Sequence, residues 1–412
     1  MANRLVINPG ARLTLRSRMN AQAGFIEDMP RAASYASAYA SSGQEVVMAY
    51  PPSDRACRAD DDWQQGVYTI PTFATEFGAT LKDVDIAYES WGRLAPDGSN
   101  VILICHALTG DAHAGDGGDR KGWWSSLIGP GLAFDTNRYF VVCSNVLGGC
   151  AGSTGPASIV SESQDTYGSS FPTVTIRDMV AAQFELLQGL GVRRVHAVCG
   201  GSMGGMQAIE WGIMYPNYTE RIAIFAAPLV LSTMGLAYNE VMREAILTDP
   251  DFRGGEYLRY GVVPANGLRV ARMLGMITYR TAELFAARFG RDQVTDAMDF
   301  EVGRYLRYQG DKLVSRFDAN SYLTLMRAID LHDVARERES SAQALAKVKG
   351  KVMFVGIDRD LLYPPEDLMQ ATELAKSQGV DAEYQHISST YGHDAFLLEF
   401  SQIDQLLRRF VG

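Results

Sequence analysis

Nothing in the 412-residue sequence approaches an apolar run long enough to cross a bilayer as a helix, which takes roughly 18 residues or more. The longest such run, 222–231, already contains Pro228. Cysteine is scarce. Cys57, Cys105, Cys143, Cys150 and Cys199 make an odd number with no CxxC pair, which argues against a disulfide framework and suits the reduced thiols of a cytoplasmic protein. Basic residues are outnumbered, and the net charge of −10 has the wrong sign for a nucleic-acid backbone or an anionic membrane as partner. Neither GxxxxGK[ST] nor GxGxxG occurs, so no phosphate-cradling loop is expected. HExxH is missing too, so the run Asp111-Ala112-His113-Ala114-Gly115-Asp116 reads as a glycine-rich loop and no metal site is expected.

What is present describes a globular enzyme. Hydrophobic residues make up 47% of the chain and charged ones 21%, enough apolar surface for a large core. Up to Glu27 the chain carries Arg4, Arg12, Arg16 and Arg18 and no acid, with no apolar segment resembling a secretory signal. Residues 1–69 are expected to be a poorly ordered extension, and 70–412 the catalytic body. Within that body, Leu81–Tyr88 alternates as a strand with one wet face, whereas Val101–Cys105 is apolar throughout, as a strand buried on both faces must be. Similar short runs recur at 139–143, 195–199, 221–226 and 352–356. Thr175-Ile176-Arg177-Asp178 has the form of a capping box, opening a helix with Ile176, Met179, Val180, Phe184, Leu187 and Leu190 at helical spacing. Strands alternating with helices imply an α/β protein with a mostly parallel sheet and helices on both faces. The stretch from about 228 to 349 interrupts this rhythm and reads as a helical lid inserted over the sheet.

The chemistry concentrates at Gly200-Gly201-Ser202-Met203-Gly204, a G-x-S-x-G between strand 195–199 and a helix ending before Pro216. That context, rather than the pattern alone, makes Ser202 a candidate nucleophile on a sharp turn. Such a serine needs a base, oriented by an acid, in the chain order Ser, Asp or Glu, His. His106 and His113 precede it. His196 sits within a buried strand, and His332 and His386 are expected at the surface. His393, in a loop leading into the last helix, is the best base. The acid should follow strand 352–356, where Asp358 and Asp360 compete; order and spacing favour Asp360 and leave Asp358 open. An oxyanion hole would draw on the backbone N–H groups of Met203 and of Leu108, in the loop after strand 101–105.

Several longer motifs carry a resemblance: CHALTGDAH from Cys105, Trp123-Trp124, IGPG from Ile128, DTNRYFVVCSNVLGGCAGSTGP from Asp135, GGSMGGMQAIEW from Gly200 and RFDANSYL from Arg316. From about residue 70 onward the sequence resembles the homoserine O-acetyltransferases, members of the α/β-hydrolase fold that make O-acetylhomoserine for methionine synthesis. The resemblance implies Ser202 as nucleophile, His393 as base and Asp360, not Asp358, as the orienting acid. It further implies that Arg272 binds an amino-acid carboxylate, that Asp394 binds its ammonium, and that Tyr279 lines the site. Leu362 stands where members using succinyl-CoA commonly carry arginine, which implies an acetyl donor. Acetyl-CoA would then be a co-substrate, with no permanently bound cofactor, small molecules the only other partners, and a homodimer formed through the insertion. Met276 departs from the histidine many members carry, which keeps L-serine as an alternative acceptor; an esterase of the same fold is the other alternative.

Overall fold

The computed structural model describes residues 63–161, 163, 165–294 and 299–412. Its centre is an eight-stranded sheet. Following the chain, β1 is Trp63–Ala74, β2 Thr80–Trp91, β3 Val101–Cys105, β4 Phe140–Ser144, β5 Val195–Gly201, β6 Arg221–Phe225, β7 Lys351–Ile357 and β8 Ala382–Ile387. In space the strands lie in the order β1-β2-β4-β3-β5-β6-β7-β8. The pairs β1–β2 and β2–β4 are antiparallel, and every pairing beyond them is parallel.

Strand β3 shows why an unbroken apolar run belongs at the middle of such a sheet. Val101, Leu103 and Cys105 enter one core while Ile102 and Ile104 enter the other, all five fully buried. Helix α1 (Ile176–Gly189) and helix α2 (Met203–Met214) cover the first face through Met179, Leu186, Met206 and Trp211. The C-terminal helix Phe400–Val411 covers the second through Ile403, Leu407 and Phe410. The capping box forms at α1: Thr175 Oγ1 accepts from the Asp178 N–H at 3.1 Å, and the Thr175 N–H donates to Asp178 Oδ2 at 2.8 Å.

Between β6 and β7 the chain passes through α3 (Thr233–Leu247), α4 (Ala265–Thr278), α5 (Ala282–Phe289), α6 (Glu301–Val314), α7 (Ala319–Asp330) and α8 (Ser341–Leu345). One boundary differs from expectation. Strand β1 starts at Trp63, so residues 63–69 belong to the body rather than to an extension ending at 69. They pair with β2 from Trp63 opposite Trp91, and Trp63 Nε1 donates to Glu89 Oε2 at 2.8 Å. The expectation of poor order for 1–62 lies outside the described residues.

Candidate active site

Ser202 stands between the end of β5 and the start of α2, with φ 58° and ψ −126°. A non-glycine residue held there costs about 1–3 kcal/mol and persists only where its surroundings enforce it. The enforcement is visible in the flanking glycines. A Cβ at Gly204 would lie 2.0 Å from the carbonyl oxygen of Cys105, and one at Gly200 2.4 Å from the backbone of Gly204. Only residues without a side chain let strand, turn and helix approach so closely.

The turn lifts Ser202 Oγ to 2.9 Å from His393 Nε2, and His393 Nδ1 lies 2.7 Å from Asp360 Oδ2. Asp360 is itself held, since its Oδ1 accepts from the N–H groups of Leu362 at 2.9 Å and Tyr363 at 3.0 Å. All three side chains are buried. Burial alone would push the His393 pKa down, but the charge of Asp360 and its hydrogen bond outweigh it and raise the imidazole above its ordinary value. Tyr363 packs edge-on against the His393 ring with centroids 5.1 Å apart, and Phe396 does so at 5.6 Å. Tyr363 also hydrogen-bonds the Ser202 side chain, a contact that no motif spacing marks. Such an arrangement can take a proton from a serine hydroxyl and return it to a leaving group.

Met203 and Leu108 carry the two backbone N–H groups expected of an oxyanion hole. Met203 opens α2, where a helix leaves its first N–H groups unpaired. Leu108 lies in the loop after β3, and neither N–H donates to an acceptor among the described residues. Gln207 ties the two loops together, its Nε2 donating to both His106 O and Met203 O at 3.2 Å.

Asp358 has a partner of its own: His386 Nε2 is 2.6 Å from Asp358 Oδ1, at the surface. That bond holds the Asp358 carboxyl below its usual range. His332, expected at the surface, is instead buried, donating through Nε2 to Pro228 O at 3.0 Å, and burial lowers its pKa. It follows the end of α7, where its N–H donates to Ile329 O at 3.0 Å and its O accepts from the Leu231 N–H at 3.2 Å. His196 is only partly buried; Nε2 donates to Val411 O at 2.8 Å and Nδ1 faces Glu220 at 3.2 Å. His106 accepts the Val146 N–H at 3.1 Å, and His113 pairs with Glu89 at 2.7 Å, so both are engaged within the core.

The residues named for an amino-acid substrate come from the insertion and the histidine loop. The ring of Tyr279 lies 5.8 Å from that of His393, and the Arg272 guanidinium 5.6 Å from the Tyr279 ring. Asp394 is not free: Arg280 Nη2 lies 2.9 Å from its Oδ2. Arg280 was not legible as a site residue, because the salt bridge joins segments 114 positions apart and no spacing rule links them. Leu362 is half-buried against the main core.

The α/β hydrolase fold family model matches residues 100–400. A homoserine O-acetyltransferase of Carboxydothermus hydrogenoformans is 47% identical over 357 residues, 83% of this chain and 93% of the relative. That of Symbiobacterium thermophilum is 49% identical over 349 residues, covering 82% and 91%. The chain belongs to the homoserine O-acetyltransferase family. Among solved structures, the homoserine O-acetyltransferase from Bacillus anthracis superposes with a TM-score of 0.80 at 29% identity, over 85% of this chain and 98% of that one. Esterase E22 does so equally well, with a TM-score of 0.80 at 31% identity, over 85% and 100%. Within the homoserine O-acetyltransferase family and its structural neighbours, then, backbone shape does not separate transfer from hydrolysis.

Proposed function

We propose that the protein transfers an acetyl group from acetyl-CoA to the side-chain hydroxyl of L-homoserine, releasing CoA and O-acetyl-L-homoserine through an acetyl-Ser202 intermediate. The observation that carries this reading is the contact line Ser202–His393–Asp360 in a chain 47–49% identical to relatives named for that reaction.

In the first step the Ser202 hydroxyl gives its proton to His393 Nε2 as Oγ bonds to the thioester carbon. The oxyanion is met by the N–H groups of Met203 and Leu108. The C–S bond breaks, His393 returns the proton to the departing thiolate, and acetyl-Ser202 remains. In the second step His393 takes the proton of the homoserine hydroxyl, whose oxygen attacks the acetyl carbonyl. Ser202 leaves and recovers the proton. Asp360 keeps Nδ1 protonated and stabilises the imidazolium in both steps. Arg272, whose planar fork can bond two oxygens, would hold the acceptor carboxylate, and Asp394 its ammonium. Tyr279, between Arg272 and His393, would bound the acceptor pocket.

The same reading includes a cytoplasmic enzyme and a homodimer formed through the insertion. Among the described residues no helix is long and apolar enough to cross a membrane. Exposed Met234 and Val241 on α3 and Val270 and Ile277 on α4 supply apolar surface for a second copy.

Incubation with acetyl-CoA and L-homoserine, followed by NMR of the products, tests the reading. O-acetylhomoserine with stoichiometric CoA is expected. Acetate as the main product would favour the esterase reading that the likeness to E22 raises, and O-acetylserine formed faster from L-serine would reassign the acceptor.

A further inference from the structure

Arg280 sits in the short segment between α4 and α5 that rests on the histidine loop. Three contacts make that seam. The Asp394 N–H donates to Tyr279 O at 3.3 Å, the Thr281 hydroxyl donates to Thr390 O, and Arg280 Nη2 pairs with Asp394 Oδ2 at 2.9 Å. The approach is close: at Gly392, with φ 68°, a Cβ would come within 3.1 Å of Thr281 and 3.4 Å of Tyr279 O. Arg280 and Asp394 are both mostly buried, and Arg280 Nη1 is fully buried without a partner among the described residues. A guanidinium held so, with one N–H group unused, is unusual for a pair whose only task is to join two loops.

We propose that Arg280 is a positioning residue of the acceptor site, holding Asp394 by Oδ2 so that its other carboxylate oxygen faces the acceptor's ammonium, and coupling the insertion to His393. This rests on the acetyl-transfer reading above. The carboxylate would otherwise rotate, and an unpaired Asp394 would add its full negative charge to that of Asp360 at the imidazole. The groups facing His393 are Asp360 from the loop after β7, Asp394 from its own loop, Arg280 from the insertion, Ser202 from the elbow, and the phenols Tyr279 and Tyr363. Arg280 is the cation among them, and its charge opposes the upward pull of the two aspartates on the imidazole.

The test compares Arg280→Met, which keeps length and removes charge, with Arg280→Lys, which keeps charge. Two readouts are needed: the KM for L-homoserine, and the pH profile of Ser202 acylation by p-nitrophenyl acetate, which involves no acceptor. Arg280→Met should raise the homoserine KM at least about tenfold, a coupling of about 1.4 kcal/mol. It should slow acylation at high pH far less, and move the acid limb of acylation to higher pH. Arg280→Lys should recover most of the KM and keep the acid limb in place. If Arg280→Met does not fold, the Lys variant still decides: an acid limb displaced upward despite the retained charge overturns the proposal. So does an unchanged KM in Arg280→Met, or a KM loss that neither moves the acid limb nor is rescued by lysine. If the wild-type enzyme fails to acetylate homoserine, the acetyl-transfer reading falls, while the acylation profile still decides whether Arg280 is coupled to His393.

Discussion

His386 Nε2 lies 2.6 Å from Asp358 Oδ1, while His393 Nδ1 lies 2.7 Å from Asp360 Oδ2. Two aspartates two residues apart thus serve two different histidines, one pair exposed and one buried. The residue between them accounts for the split: Arg359 takes a positive φ of 57°, which turns the chain and sends the two side chains apart.

Asp360→Asn is therefore expected to cut kcat by about 10⁴-fold, as when the orienting acid of a serine triad is lost. Asp358→Asn should stay within a few-fold of wild type. Steady-state kinetics of the two variants, with circular dichroism to confirm folding, compares them directly. Equal losses would reassign the acid.

Much of this was legible from the chain and some was not. The solid run Val101–Cys105, the capping box at Thr175 and the strand–GGSMGG–helix context each express one local rule, and the structure follows them. The choice between Asp358 and Asp360 depends on where β8 places His386, which no local spacing contains. The start of β1 was hidden because Gln64, Gln65 and Val67 lie on an exposed edge strand, without apolar alternation until Ile70 is buried. The burial of His332 was hidden because its neighbours Leu331 and Asp333 follow no clear pattern, while Ala328 and Ile329 at the end of α7 and Val334 beyond it are buried.

Because His393 must be neutral to accept a proton and its pKa is raised, acylation should fall as pH drops through a value above the ordinary 6.5. In Asp360→Asn the two largest raising influences are gone and only Asp394 still opposes burial and Arg280, so the acid limb of the residual activity should move to lower pH. A pH profile of the acylation burst reads both shifts.

Arg272→Ala should raise the KM for homoserine by at least about tenfold, or about 1.4 kcal/mol, because a carboxylate loses its charged partner. Acetylation of Ser202 should be nearly intact, since only the second half-reaction meets the amino acid. Loss of the CoA burst in this variant would place Arg272 with the donor or the fold instead.

On the reading that Leu362 borders the acyl group, it would offer an apolar surface, and a succinyl carboxylate there would be buried without a cation. Acetyl-CoA should be preferred over succinyl-CoA by at least about tenfold in kcat/KM, and Leu362→Arg should narrow or invert the ratio. Comparable use of both donors by the wild type would contradict this assignment of Leu362.

Removing residues 1–69 takes seven residues from β1, including the bond from Trp63 to Glu89. This truncation should unfold at a lower temperature than one removing 1–62, by several degrees for each kcal/mol lost. Identical Tm values would show that this end of β1 adds nothing to the sheet.

The central claim is a two-step transfer through Ser202, and rapid mixing with acetyl-CoA in the absence of homoserine tests it most directly. The account predicts a burst of about one CoA per chain, acetyl-Ser202 visible in the intact mass, then near silence until homoserine is added and CoA release resumes. Sustained CoA release without homoserine would make the protein a hydrolase. A burst retained in Ser202→Ala, or none in the wild type, would contradict the mechanism outright.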